Sequence, residues 1–274
     1  MLSYLSLMRS GARQPVPALL WFAALLGLLP ALSAQTLVNV DLNGGGTQYD
    51  FSGAAAVGQT GDQWNIITGT STSSPLVDTQ GSATTITFQA GEQGAFENGE
   101  DPSSGASWGG RRYPADKNDL FRDYKFNNHT DANSRNFVIG GLDSTKSYDL
   151  YFYGSVRISG ANFGGTFTVD GVTKESDYTL SGNAPATLTE GHQYVVFRNI
   201  ASGTGTNGNG PAASNEIRGT WGSAPTNFTA ISSSLVFNGL QISAIPEPEH
   251  AALILVIPLA ILLIRRRRTR IGDT

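Results

Sequence analysis

The 274-residue chain has no cysteine, three histidines and two methionines, and only 15% of its residues are charged. Without cysteine there are no disulfides, no thiolate metal sites and no dithiol redox chemistry, so an exported domain must rely on its core. Basic residues are scarce where a nucleic-acid-binding protein would need them. Between Gln35 and Ala244 there are eleven Lys and Arg against nineteen Asp and Glu, a net charge near −8. That acidic balance excludes a phosphate-backbone footprint, and nucleic acid is not an expected partner. Also missing from this stretch is any dozen-residue window with a helical apolar stripe, and no repeat of fixed period is present.

Long apolar runs occur only near the two ends. Arg9 and Arg13 precede a nearly continuous apolar stretch from Ala18 to Leu32, followed by Ala31-Leu32-Ser33-Ala34. A basic leader, an apolar centre and small residues at the exit make a secretory signal peptide over residues 1–34, cut by signal peptidase after Ser33 or Ala34. An uncleaved N-terminal anchor is the plainer alternative. The second run, Ala251 to Ile264, spans about 21 Å as a helix against a hydrocarbon core of roughly 30 Å. Pro258 would weaken or kink that helix. Arg265, Arg266, Arg267 and Arg268 favour the cytoplasmic side, and their stems can reach the interface of a short span. Pro246-Glu247-Pro248 stands before it as a rigid hinge.

In order and spacing, residues 245–274 resemble the PEP-CTERM sorting tail of bacterial surface proteins, with Glu249-His250 in place of the commoner Ser or Thr. The resemblance implies that a membrane-embedded exosortase recognises Pro246, Glu247 and Pro248 and removes the transmembrane helix with its Arg265–Arg268 cluster. The protein would then be held at the inner membrane until processing and delivered to the cell surface or extracellular matrix. An ordinary C-terminal anchor behind two prolines is the alternative, and the sorting tail is preferred.

The exported part, residues 35–244, is long enough for one generous domain or two small ones, and is read as one. Period-two alternation runs through Leu37–Leu42, Thr84–Phe88, Asn136–Ile139, Tyr148–Tyr153, Tyr194–Arg198 and Ser234–Ile242, with Gly-, Asn- and Ser-rich turns between. Asp170-Gly171, set between Thr166–Val169 and Val172-Thr173, is a tight-hairpin pair because both positions tolerate positive φ. Gly203–Asn215 reads as a mobile polar loop. The expected class is all-β, an antiparallel β-sandwich flanked by the signal helix and the C-terminal transmembrane helix. Leu37–Asp41, Gly61–Asn65, Phe137–Leu142, Tyr148–Gly154 and Asn238–Ile242 occur in the order seen in exported jelly rolls. The stretch from Leu37 to Ile242 is thus similar to galactose-binding-like and malectin-like modules, apart from Glu92–Lys117. That resemblance implies a jelly roll in which carbohydrate binding is common, and such domains often carry a structural Ca²⁺.

Several residues invite a chemical reading. Gly105-Ala106-Ser107-Trp108-Gly109 fits the nucleophile-elbow pattern but lacks the strand-to-helix context that gives it meaning, and catalysis is not expected. Carboxylates cluster at Glu92, Glu97, Glu100 and Asp101, and again at Asp116, Asp119 and Asp123. A glycosidase needs two carboxyls facing each other across a sugar, whereas acidic loops are ordinarily solvated. Asp41, Asn43 and Asp50 are Ca²⁺ candidates by residue type, with no EF-hand loop anywhere. Trp64 and Trp221 suit plugs at the ends of the sandwich. Trp108, with Arg111 and Tyr113, suits an exposed platform on which a pyranose could stack while the neighbouring side chains bond its hydroxyls. The sequons Asn128-His129-Thr130 and Asn227-Phe228-Thr229 carry no weight in a bacterial setting. The expected function is therefore a non-enzymatic envelope or matrix component associating with extracellular polysaccharide. An inert structural or adhesive surface protein is the alternative, and a polysaccharide-active hydrolase the third.

Overall fold

Strands form where every second side chain is apolar, and the two largest sheets turn those alternate residues toward a shared interior. The computed structural model describes residues 36–43, 50–92, 94–96, 115–128, 134–158, 161–176, 186–223 and 234–246. The first sheet contains β1 (Leu37–Asn43), β2 (Asn65–Thr68), β7 (Ser147–Tyr153), β12 (Tyr194–Ala201) and β17 (Gly239–Ala244), in the spatial order β12-β7-β17-β1-β2. The second contains β3 (Thr87–Ala90), β6 (Arg135–Gly140), β10 (Thr166–Val169), β11 (Val172–Glu175) and β15 (Ile217–Trp221), in the order β11-β10-β15-β6-β3. Val38, Val40, Leu42, Leu150, Phe152, Leu240 and Ile242 from the first meet Phe88, Phe137, Ile139, Phe167, Ile217 and Trp221 from the second. Phe152 lies at the centre, stacked on Phe167 at 4.9 Å and packed against Phe137 at 5.1 Å. Burying each large apolar side chain here stabilises the fold by about 1.5–3 kcal/mol before entropy is counted.

Among the described residues, three small sheets complete the strand set: β4 (Gly94–Phe96), β5 (Tyr124–Asn128) and β16 (Ser234–Phe237) in the order β16-β5-β4; β8 (Ser155–Ile158) with β9 (Ala161–Gly164); and β13 (Thr206–Asn207) with β14 (Gly210–Pro211). The class is all-β, as the alternation implies, and all but one of the strand pairs in these sheets are antiparallel; β1 and β2 run parallel. Asp170 and Gly171 turn β10 into β11 with φ of 51° and 73°, the left-handed pair that a two-residue hairpin requires.

Some elements depart from the sequence reading. The run Ser234–Ile242 is two strands in two sheets, divided at fully buried Asn238. Its Oδ1 accepts a 2.8 Å bond from the Ser155 amide, and its Nδ2 donates at 2.9 Å to the Asp123 carbonyl. An amide that serves two other segments can interrupt the ladder without leaving backbone groups unpaired. Thr84 lies outside β3 because its amide and hydroxyl both bond the Leu76 carbonyl, at 2.9 and 2.8 Å. Gly203–Asn215 is fastened rather than loose, since it contains the β13–β14 hairpin. A helix, α1 (Asn118–Arg122), follows a 3₁₀ turn at Ala115–Lys117; five residues are too few to show a stripe.

Leu120 and Phe121 of α1 pack with Phe51, Trp64 and Tyr153 on the outer face of the first sheet, forming a second cluster. Residues Gln35–Glu247 make one compact unit. The signal segment 1–34 and the sorting residues Glu247, Pro248, Arg265, Arg266, Arg267 and Arg268 lie outside the described residues. Pro246 is exposed just beyond β17. Among the described residues no helix is long and apolar enough to cross a membrane.

Candidate functional site

Alternation decides what the second sheet shows to solvent. With Phe88 and Ala90 buried, Gln89 of β3 points outward; with Phe137 and Ile139 buried, Asn136 and Val138 of β6 do the same. These residues line a cleft of about 400 Å³. Its rim is completed by Thr70 from the bend after β2, by Gly91 and Glu92 after β3, by Ser134 and Arg135 at the start of β6, and by Asn209 from the β13–β14 turn. The Trp221 indole lies beneath this edge, donating at 2.9 Å to the Gly91 carbonyl from the core.

Internal hydrogen bonds hold the cleft in shape. Gln89 Nε2 donates to the Thr70 carbonyl at 3.1 Å, and its Oε1 accepts from the Thr72 hydroxyl at 3.3 Å. The hairpin is tied down by Asn207 Nδ2 to the Phe137 carbonyl at 3.0 Å and by the Gly208 amide to Asn136 Oδ1 at 3.1 Å. Arg218, paired with Glu216, reaches the Asn209 carbonyl at 3.0 Å. Arg135 Nε donates at 2.9 Å to Asn127 Oδ1. The Glu92 carboxylate pairs with the ammonium of Lys125, which is fully buried and also donates to the Gly69 carbonyl at 2.5 Å. Burial pushes the Lys125 amine below its usual range, and Glu92 partly offsets that.

Amides, two hydroxyls, a guanidinium and a carboxylate arranged around one apolar side chain, Val138, can bond a polyhydroxylated ligand in fixed directions. Among the described residues that line the cleft the carboxylate is that of Glu92, and it is already paired with Lys125. Gln89, Asn136 and Asn209 were not singled out from the sequence. The available signal was the planar polar side chain at the outward position of β3 and β6.

Trp108, Arg111 and Tyr113 lie outside the described residues, as does the Gly105–Gly109 pattern. Trp221 is fully buried in the main core, and Trp64 is buried in the second cluster, its indole donating at 2.8 Å to the Gly53 carbonyl. Trp64 therefore sits under the outer covering of the first sheet rather than at an end of the sandwich.

Asp41, Asn43 and Asp50 are brought together at the end of β1. Asn43 Nδ2 donates to Asp50 Oδ1 at 3.2 Å, and the Phe51 amide donates to Asp41 Oδ2 at 2.9 Å. Asp123 and Asp119, from the end of α1 and its first turn, approach the same carboxyl. Burial pushes the Asp41 carboxyl well above its usual range, and the charges of Asp123, Asp50 and Asp119 push it further, against the Phe51 amide. Among the described residues no group of three or more His, Asp or Glu side chains is placed to hold a metal ion. No protein-family model, curated protein or solved structure matches the chain.

Proposed function

We propose that this protein is an exported, non-enzymatic component of the cell envelope or extracellular matrix that associates with extracellular polysaccharide through a jelly-roll-type β-sandwich. Its C-terminal PEP-CTERM-like tail holds it at the inner membrane until an exosortase removes the helix and basic cluster and releases the domain outward. The observation that carries the binding reading is the polar cleft on the outer face of the second sheet, with Gln89, Arg135, Asn136 and Asn209 around Val138. Its volume falls in the range of small-ligand sites, and its side chains suit sugar hydroxyls. The acidic surface favours neutral or cation-bridged glycans over polyanions.

The inert structural reading has its own support, because Gln89 and Asn136 already bond neighbouring backbone and side chains. A panel of neutral and acidic polysaccharides, tested by affinity electrophoresis of the full chain, separates the two. Retardation by at least one polymer, reduced about three- to tenfold in affinity by Asn209→Ala, is expected if one hydrogen bond is lost. No retardation by any polymer supports the inert reading, and depolymerisation of one supports a hydrolase. For the tail, mass spectrometry of surface protein is expected to find no peptide beyond His250. Recovery of the Arg265–Arg268 cluster on mature surface protein overturns the sorting assignment.

A further inference from the structure

Among the described residues, Lys125 is the one basic side chain that is completely buried. Its nitrogen donates to the Gly69 carbonyl at 2.5 Å and meets the carboxylate of Glu92, whose side chain is 16% exposed at the rim of the cleft. Burying an ion pair is a costly way to fill an interior, because both charges leave water and recover only part of that loss from each other. Burial also weakens the hold of the Lys125 amine on its proton, and Glu92 restores that hold only in part. A lysine in such a setting reaches its free-base form readily, and a free amine is a nucleophile. The group it touches is a carboxyl, whose carbon is an acyl centre.

We propose that Lys125 and Glu92 condense into an intramolecular isopeptide bond, which ties the segment just after β3 covalently to β5. A proton passes from the ammonium to the carboxylate across their contact, leaving an amine and a carboxylic acid. The Lys125 nitrogen then bonds to the Glu92 carboxyl carbon, and the bond from that carbon to its hydroxyl breaks. The hydroxyl departs with one amine proton as a single water, so no oxidant, nucleotide or other reactant is needed. In bulk water the same condensation is disfavoured, because both groups are charged and well hydrated. The fold reverses those terms: the nitrogen is dry, the two groups are held in contact, and the product carries no charge. The Gly69 carbonyl accepts an N–H from this nitrogen before the step and can accept the new amide N–H after it, so no donor is stranded. Glu92 and Lys125 stand 33 positions apart, so the bond closes a long loop. It restricts the unfolded chain as a disulfide would, in a protein that has no cysteine. The inference is independent of the polysaccharide reading, and the amide carbonyl left at the cleft rim still accepts hydrogen bonds.

The test is mass spectrometry of the full chain, purified, denatured and then digested. The peptides bearing Glu92 and Lys125 are expected as one joined species, lighter than their sum by one water and uncut by trypsin after Lys125. The intact chain is expected to be lighter than its sequence by the same one water. On a denaturing gel it is expected to run ahead of Lys125→Met, in which the loop opens. Lys125→Met keeps an unbranched side chain in the buried site and removes the nucleophile, and Glu92→Ala removes the acyl carbon. Both variants are expected at full mass. The deciding measurement is made on the unaltered chain, so it stands even where a variant fails to fold. Recovery of the two peptides unjoined from the unaltered chain overturns the proposal. A one-water deficit that persists in Lys125→Met overturns it as well, because the dehydration then lies elsewhere, as in a succinimide at Asp170-Gly171.

Discussion

On the outer face of the first sheet, Asn39, Asp41 and Gln241 are fully buried beneath α1 and the segment from Asp50 to Trp64. On the outer face of the second, Gln89, Asn136 and Val138 remain partly open to solvent around a cleft. Both faces carry the polar half of an alternating strand. What differs is the covering layer, and it is held by the very side chains that alternation assigns to water. Gln241 Oε1 accepts from the Val57 amide at 3.2 Å and from the Tyr153 hydroxyl; its Nε2 donates to Asn39 Oδ1 at 2.8 Å and to the Val57 carbonyl at 3.1 Å. Tyr153 also accepts from the Ala56 amide at 2.8 Å, and Asn39 reaches the Gln63 carbonyl at 3.1 Å. Polar positions on one sheet thus act as fasteners beneath a covering layer, and on the other they border an open cleft.

The largest expected effect comes from breaking the covering layer. Phe121→Ala empties a fully buried site between α1 and Tyr153, where the rings lie 6.1 Å apart, and is expected to cost about 3–5 kcal/mol in urea unfolding. Val138→Ala on the open face is expected to cost less than about 1.5 kcal/mol. Equal losses would erase the distinction between the faces. Next in size is Tyr153→Phe, which strands the Ala56 amide and one bond of Gln241 and is expected to cost about 1–3 kcal/mol.

Asp41 adds a pH signature to the covered face. Burial holds its folded carboxyl well above the usual carboxylate value, so the folded state holds a proton that the unfolded chain has already lost. The stability this contributes is complete below that value and is lost as pH rises through the folded pKa. Tm is therefore expected to fall as pH is raised from about 4 toward neutrality, and Asp41→Asn is expected to flatten the slope. An unchanged slope in the variant would remove Asp41 as its source. The smallest expected effect on stability is that of Asn209→Ala, within about 0.5 kcal/mol, even where glycan affinity falls severalfold. A large loss of stability there would make the hairpin structural rather than a binding edge.

How much of this was readable in advance depends on range. The Asp170-Gly171 hairpin, the strands around Tyr148–Tyr153 and Tyr194–Arg198, and the burial of Trp221 follow from residues next to one another in sequence. The division at Asn238 does not, because the amide's partners, Ser155 and Asp123, lie 83 and 115 residues away. Asp41, Asn43 and Asp50 stood out by residue type, yet their junction with Asp119 and Asp123 depends on where α1 docks. The parallel pairing of β1 with β2 was hidden because a crossover leaves no local turn signal. For the cleft, Gln89 and Asn136 looked like ordinary outward residues. Only the β13–β14 hairpin folded over them makes a concavity, and that hairpin lies in a stretch whose composition suggests a mobile loop.

Hydrogen–deuterium exchange of the full chain, with and without the polysaccharide that retards it most, tests the binding account most directly. The expected result is added protection in peptides covering 87–92, 134–138 and 206–210, with the covered-face peptides at 37–43 and 50–64 unchanged. Protection confined to 97–114, or to the covered face, would contradict the open face of the second sheet as the place where the ligand binds.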